Sequence, residues 1–437
     1  MTTSNDIDAR LRRWGRWALA AGLLGLSLCA LVWFLDRTQF FRSYLVGFAV
    51  WWTVSMGCLG MTLLGHLVTG RWAQVARPFF ESGIGAVPLL AIAFVPLIFG
   101  LGHLYPWADP ELVAHDAVLQ HRAAWLDRGF FLARSACYFV VWLLMGFALL
   151  RWSTRAREDL AENVEPDPPP SEGGGRGRVV TSGTDPPSPG PSLEGRGVAA
   201  GDLRSPRRLR LGSALGLILF MLTVTFAAFD WLMSLDPRWY STAFGAVVAL
   251  GGAVAALAVA AGLMSCLGVW PPVHGLAPER LRNDMGNLLL AFVMLWAYLS
   301  FSQYLIIWSG DQPSEIEWYL HRVTGFWGAL AIGLIALHFA LPFLALLSRD
   351  LKQDPRWLGG IAGLLIVMHV ADVYWTTVPA YSHERVAAHW GDPLAVIGIG
   401  GLWSAAVAWH LRRRLPPVLD ALERAAARDA AMEAQHG

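Results

Sequence analysis

Long apolar stretches recur along the whole chain and are separated by shorter polar segments. Ten of these stretches reach the roughly 20 residues that a helix needs to cross a bilayer. They cover residues 17–35, 44–68, 83–105, 130–151, 209–235, 243–270, 286–308, 320–347, 358–378 and 393–411. The pattern predicts an all-α polytopic membrane protein of about ten transmembrane helices, with both termini on one side of the membrane.

One polar segment, residues 152–208, is much longer than the others and interrupts the apolar rhythm. It is rich in Pro, Gly and Ser, as in the runs 168–170, 173–175 and 186–191. Such a composition buries too little apolar surface to offset the conformational entropy lost on ordering. We therefore expect a disordered linker between the fourth and fifth helices.

Lys and Arg are unevenly distributed between the two sides of the predicted bundle. The tails and the even-numbered loops carry most of them, which places both termini in the cytoplasm. The predicted regions are a cytoplasmic N-terminal tail (1–16), a peripheral first helix (17–43), helices 2–4 (44–151), the disordered linker (152–208), helix 5 (209–242), helices 6–9 (243–382), a peripheral tenth helix (383–411) and a cytoplasmic C-terminal tail (412–437).

Polar landmarks in helices 2–5 recur at matching places in helices 6–9. Because four helices return the chain to the side where it began, the two sets would be parallel repeats. The predicted architecture is two parallel-repeat four-helix bundles plus peripheral first and last helices. The matched residues are Arg77, Glu81 and Gly83 with Arg280, Asp284 and Gly286; Arg134 and Tyr138 with Arg322 and Phe326; and Asp230 and Pro237 with Asp372 and Pro379.

The composition agrees with a protein whose solvent is the bilayer. Hydrophobic residues make up 55% of the chain and charged residues 15%, and the net charge is +1. This balance provides no basic field for nucleic acid, so the expected partners are lipid, other membrane subunits or apolar ligands. The four cysteines stand far apart in the sequence, which argues against a metal or iron–sulfur site on this chain.

Ionisable residues fall inside the predicted helices, where each costs several kcal/mol unless it is paired or hydrated. Asp372 lies about fourteen residues into the ninth helix, and His369 precedes it on the same face. A carboxylate and an imidazole at this spacing can exchange a proton. The alternative is that they are satisfied structurally within the bundle. The expected proton pathway comprises Asp372, His369 and His338, with Asp284, Glu81 and His66 at its cytoplasmic entrance.

A second polar group is expected at the outer side of the bundles. An apolar cleft with a few such side chains would fit a quinone head. The alternative is that the two arginines pair with Asp230 and Asp372 and brace the bundles. Haem bound by His338 and His369 is a further possibility for paired intramembrane histidines. The quinone-side candidates are Asp230, Arg134, Arg322, Gln303, His103 and Tyr105.

Several motifs together resemble one family of membrane subunits. Residues 40–150 and 209–380 resemble the ActF-type subunit of bacterial alternative complex III, in the NrfD/PsrC-like superfamily. The motifs are the run 230–235 followed by 239–242, the run 301–303, the run 316–319 with Arg322, the segment from His338 to Lys352, and His66 with 70–72 and 77–81. The long linker departs from the compact pattern of that family.

The resemblance implies an electron-transport subunit in the bacterial inner membrane. It would lie beside a sister NrfD-like quinol-binding subunit, a periplasmic iron–sulfur subunit and cytochrome c subunits. The partners would carry haem c and the iron–sulfur clusters. This chain would hold no catalytic residue and no metal, and at most a quinone. A purely structural anchor and a stand-alone secondary transporter are the alternative functions.

Overall fold

A computed structural model of the chain describes residues 4–68, 70–162, 207–267, 278–381 and 389–436. Ten helices in these ranges are long and apolar enough to cross a membrane. The described residues form no strand. The chain is therefore an all-α polytopic membrane protein, as the apolar pattern predicts.

The membrane helices are numbered α1 to α10 in chain order. Shorter helices, among them Pro110–His115, Ala117–Arg122 and Pro313–Leu320, occupy the connections on the side opposite the termini, which we call the far side. The side of the termini is the tail side. The bounds are α1 Ser4–Leu35, α2 Arg37–Leu67, α3 Arg71–Ile84 continued by Val87–Phe99, α4 Arg128–Glu162, α5 Arg207–Trp231, α6 Phe244–Leu267, α7 Pro278–Gly310, α8 Gly325–Leu347, α9 Pro355–Thr377 and α10 Gly391–His436.

Several helices extend beyond their predicted boundaries. Helix α4 continues to Glu162, so the prediction of disorder is wrong for residues 152–162, and residues 163–206 lie outside the described residues. No Pro or Gly occurs between residues 152 and 162, and helix-favouring Arg, Ala and Glu let the membrane helix propagate. The two tails are helical too, and Asp6–Arg10 and Asp8–Arg12 ion pairs support the start of α1.

Helices α2–α5 form bundle one and α6–α9 form bundle two. The bundles meet where the first helix of each, α2 and α6, pack backbone against backbone. A Cβ on Gly57 would stand 1.9 Å from the carbonyl oxygen of Gly252, and a Cβ on Gly252 would stand 2.3 Å from that of Thr53. Only glycine fits at these two positions, so they fix how closely the bundles approach.

Helices α1 and α10 pack against each other and lie along α2 and α3 of bundle one. Four glycines bring their backbones together: Gly22, Gly25, Gly398 and Gly401. At the tail side, Arg412 of α10 donates to Asp8 of α1 at 2.7 Å. The terminal helices are thus a joined pair on one side of bundle one.

Helix α8 contains a π-helical segment, Leu334–Ala340, between two α-helical parts. Pro342 follows it and has no N–H to donate to the carbonyl of His338, four residues earlier. The wider π turn accommodates this missing hydrogen bond, and such turns are frequent at functional positions. His338 lies within the segment and is fully buried.

Candidate functional site

Asp230 of bundle one is a fully buried carboxylate with a complete set of donors. Arg134 of α4 binds it through two hydrogen bonds, both of 2.8 Å. The Tyr138 hydroxyl donates to it at 2.7 Å and the Trp125 indole at 3.0 Å. The spacing of four residues places Arg134 and Tyr138 on one face of α4. Asp230 is therefore held as an ion by one cation and two neutral donors.

The surroundings of this ion pair are aromatic and tightly packed. The Arg134 guanidinium lies 4.1 Å from the Trp125 ring and 4.3 Å from the Phe130 ring. It also donates to the backbone carbonyl of Trp125 at 2.9 Å. Trp231, the residue after Asp230, packs against Trp52 of α2, and the centroids of the two rings lie 4.9 Å apart. Such a site is rigid, and it resembles a brace between α4 and α5 more than a binding cleft.

Arg322 occupies the matching place in bundle two, between Pro313–Leu320 and α8. Its guanidinium lies 3.7 Å from the ring of Trp318 and donates to the carbonyl of the same residue at 2.9 Å. This repeats the relation of Arg134 to Trp125. The second end group donates to the carbonyl of Thr376 at 3.0 Å instead of to a carboxylate. Burial lowers the pKa of Arg322 to about 9, so the side chain stays charged near neutral pH.

Asp372 lies on α9, five residues before the helix ends at Thr377. Its side chain is partly buried and faces α6 and α7. Its carboxylate oxygen and the Trp296 indole nitrogen lie 3.6 Å and 3.7 Å from the point where a Cβ on Gly251 would stand. Within the described part of the chain, no cation forms an ion pair with Asp372.

His369, one turn before Asp372, contacts α2 across the seam between the bundles. Its Nε2 lies 2.8 Å from the Thr53 hydroxyl, which also lies 2.8 Å from the carbonyl oxygens of Ala49 and Val50. The hydroxyl has one proton and the two carbonyls are its usual acceptors within a helix, so we take Nε2 of His369 as the donor to Thr53. We therefore assign the neutral Nε2–H tautomer, which leaves Nδ1 as a free acceptor.

His338 faces the same interior from α8. Its ring lies 4.2 Å from the Trp296 ring, and neither ring nitrogen has a hydrogen-bond partner among the described residues. A buried polar atom without a partner costs about 1–3 kcal/mol. Bundle two thus brings Asp372, His369 and His338 into one interior, with Trp296 between the first and the last.

The predicted tail-side entrance residues are held by structural contacts. His66 is buried, and its Nδ1 lies 3.0 Å from the Ser213 hydroxyl. Glu81 is fully buried; it accepts from Ser153 of α4 and forms an ion pair of 2.9 Å with Arg414 of α10. Asp284 is partly buried near the start of α7. Glu81 therefore ties α10 to bundle one.

The six quinone-side candidates are not gathered in one cleft. His103 stacks on Phe41 and lies 3.1 Å from the Thr38 hydroxyl. Tyr105 donates to the carbonyl of Trp231, beside Asp230, at 2.9 Å. Gln303 lies 3.1 Å from both Ser241 and Tyr319 in bundle two.

A far-side cleft of about 470 Å³ lies near this region. It is lined by His121, Arg122, Ala124, Trp125, Leu126, Phe229, Met233, Ser234, Pro237 and Trp239. None of the six candidates is among these lining residues.

The described residues contain no group of three or more His, Cys, Asp or Glu side chains placed to hold a metal ion. The Thr53 hydroxyl contacts Nε2 of His369, so haem ligation by this ring would require Nδ1 or the loss of that contact.

Sequence reasoning missed three residues that shape these sites: Thr53, Trp125 and Trp296. One is an ordinary threonine in an apolar helix, and the others are two of 22 tryptophans. Only the recurrence of a Trp near each repeat arginine offered a signal. Comparison with protein-family models and with curated proteins found no match to this chain.

Proposed function

We propose that this polytopic membrane protein is a subunit of a quinol-oxidising respiratory complex, in which bundle two handles protons and bundle one serves as scaffold. The observation that carries the proposal is Asp372, an intramembrane carboxylate without a paired cation beside two histidines that have unused ring nitrogens. The motif resemblance to ActF-type subunits supports the respiratory setting.

A carboxylate inside a bundle is tolerated only if a cation, water or a proton compensates its charge. Asp230 is compensated by Arg134, whereas no cation pairs with Asp372 within the described ranges. We infer that Asp372 carries a proton in this conformation. Nδ1 of His369 and the ring nitrogens of His338 have no hydrogen-bond partner among the described residues, which supports proton exchange with Asp372 in the same interior.

The partners follow from the resemblance alone and belong to the proposal. They are a sister NrfD-like quinol-binding subunit, a periplasmic iron–sulfur subunit and cytochrome c subunits, which hold the haem c and iron–sulfur groups. A quinone would bind mainly in the sister subunit. The excess of Arg and Lys on the tail side supports a bacterial inner-membrane protein with cytoplasmic termini.

Purification and proton counting test this proposal. Gentle detergent extraction should co-purify haem-containing and iron–sulfur subunits, and Asp372→Asn should assemble normally but release fewer protons per electron in vesicles. Asp311→Asn, an exposed far-side acid, is the matched control and should leave the ratio unchanged. A normal ratio in an assembled Asp372→Asn complex would eliminate the proton pathway.

A structural anchor is the second candidate, and the satisfied ion pairs Arg134–Asp230 and Arg414–Glu81 favour it. In that case Asp372→Asn would lower the amount of assembled complex and leave the activity of the remainder intact. A secondary transporter would instead purify alone, without haem or iron–sulfur partners.

A further inference from the structure

Arg322 is a buried cation that forms no ion pair with a carboxylate of the described residues. The corresponding arginine of bundle one, Arg134, is paired with Asp230. Arg134 gives Nε and Nη2 to Asp230. Arg322 gives Nη2 to the carbonyl of Thr376, and its Nε has no acceptor among the residues described. Burying a charge without a counter-charge is costly, and Arg322 is only 1% exposed. Arg322 and Asp372, which correspond to Arg134 and Asp230, are thus both present in bundle two but do not form an ion pair.

The acceptor of Arg322 and the carboxylate of Asp372 belong to residues four apart on α9. Thr376 follows Asp372 by four residues on α9, and its hydroxyl donates to the backbone carbonyl of Asp372 at 2.8 Å. The residue whose carbonyl accepts from Arg322 therefore lies about 6 Å of helix rise beyond Asp372. Arg322 itself lies in a short turn followed by Gly325, whose φ is +57°.

We propose that Arg322 is the alternate counter-charge of Asp372. When Asp372 has lost its proton, the guanidinium leaves the carbonyl of Thr376 and forms with Asp372 the pair that Arg134 forms with Asp230. When Asp372 is protonated, Arg322 returns to the carbonyls of Trp318 and Thr376. Arg322 is a positioning residue here, because it holds the charge of the carboxylate and carries no proton.

The proposal rests on the proposed function only in taking Asp372 to exchange a proton. The guanidinium–carboxylate geometry it requires already exists in the same fold, in bundle one. The neighbouring helices carry few other charged groups. Helix α2 carries Arg42, whose guanidinium lies over the ring of Tyr381, just beyond the end of α9. Helix α6 has no ionisable residue from Phe244 to Met264, and α7 contributes the indole of Trp296. His338 faces the site from α8, and His369 lies on α9 itself; Asp236 and Tyr319 act electrostatically on Arg322.

Chemical labelling of carboxyl groups tests the exchange. An apolar carbodiimide adds to protonated carboxyls inside membranes, and mass spectrometry of the whole complex locates the product. In the wild type, labelling of Asp372 should fall by about tenfold per pH unit once the acid ionises. Asp230, which is paired with Arg134, should be labelled less than Asp372. In Arg322→Gln, Asp372 should remain labelled at pH values where the wild type is protected.

Arg238→Gln is the matched control, because Arg238 is an exposed far-side arginine paired with Asp116. It should label like the wild type. If Arg322→Gln does not assemble, Arg322→Lys carries the test, because an ammonium lacks the bidentate fork and should protect Asp372 only partly. Equal labelling of Asp372 in wild type and Arg322 variants would overturn the alternate pair while leaving proton handling intact. A wild-type Asp372 that never labels would overturn the proposed function as well.

Discussion

Bundle one and bundle two each contain an aspartate at a corresponding place, and the two aspartates have different hydrogen-bond partners. Asp230 and Asp372 occupy matching places near the far ends of α5 and α9. In bundle one the arginine, a tyrosine and a tryptophan all donate to the carboxylate. In bundle two the arginine donates to the backbone carbonyls of Trp318 and Thr376, and Thr376 lies one turn beyond Asp372 on α9. The two acids thus stand at corresponding places but have different partners.

Two local differences account for the contrast. Tyr138, which donates to Asp230, has Phe326 as its counterpart, and Phe326 has no hydroxyl. His338 lies in the π segment of α8 and is buried, whereas α4 is a continuous α-helix. Bundle one gains rigidity from its completed pair, and bundle two retains unused polar atoms that suit proton exchange.

The largest expected effect comes from breaking the completed pair. Asp230→Asn leaves Arg134 buried without its counter-charge, and such a loss destabilises by about 3–5 kcal/mol. We expect a sharp fall in folded protein, measured by monodispersity and thermal unfolding in detergent. A variant as stable as the wild type would show that the pair does not brace bundle one.

The second-largest loss of stability is expected from a substitution at the contact between α2 and α6, where the two bundles meet. Gly252→Ala places a methyl group 2.3 Å from the carbonyl of Thr53, and overpacking of this kind costs about 1–3 kcal/mol. Its neighbour Gly251 is the control, because a methyl group there meets Asp372 at 3.6 Å, an ordinary contact. Thermal unfolding should separate the two variants, and equal melting temperatures would contradict the close approach of α2 and α6.

A smaller effect is expected from Tyr138→Phe. It removes one hydrogen bond to Asp230 while Arg134 and Trp125 remain, so the expected cost is about 1 kcal/mol. The variant also makes bundle one resemble bundle two at this position. A loss as large as that of Asp230→Asn, measured by the same unfolding assay, would mean that the hydroxyl is essential to the pair.

The smallest effect on stability is expected from Asp372→Asn. It breaks no ion pair of the described structure and keeps the size of the side chain, so the free energy of unfolding should change by less than about 1 kcal/mol. Thermal unfolding of purified protein measures this directly. A loss of several kcal/mol would show that Asp372 is ionised and paired in the native state.

The membrane helices and the matching of the two bundles could be predicted because both leave regular marks in the sequence. Apolar runs of spanning length predict helices, and Arg134 and Arg322 each stand at the outer start of the third helix of their set. The partner of Arg322 could not be predicted, because Asp372 and Thr376 lie only one helical turn apart on α9 and the sequence does not indicate which of them accepts its hydrogen bond. The packing of α1 against α10 could not be predicted either, because the contacting glycines Gly22 and Gly401 lie at opposite ends of the chain.

Infrared difference spectroscopy of the carboxyl stretch tests most directly whether Asp372 holds a proton while Asp230 does not. At neutral pH, the wild-type spectrum should contain a protonated-carboxyl band that Asp372→Asn removes. Tyr138→Phe, which perturbs Asp230 alone, should leave that band in place. A spectrum in which Asp372→Asn removes no such band would contradict the account.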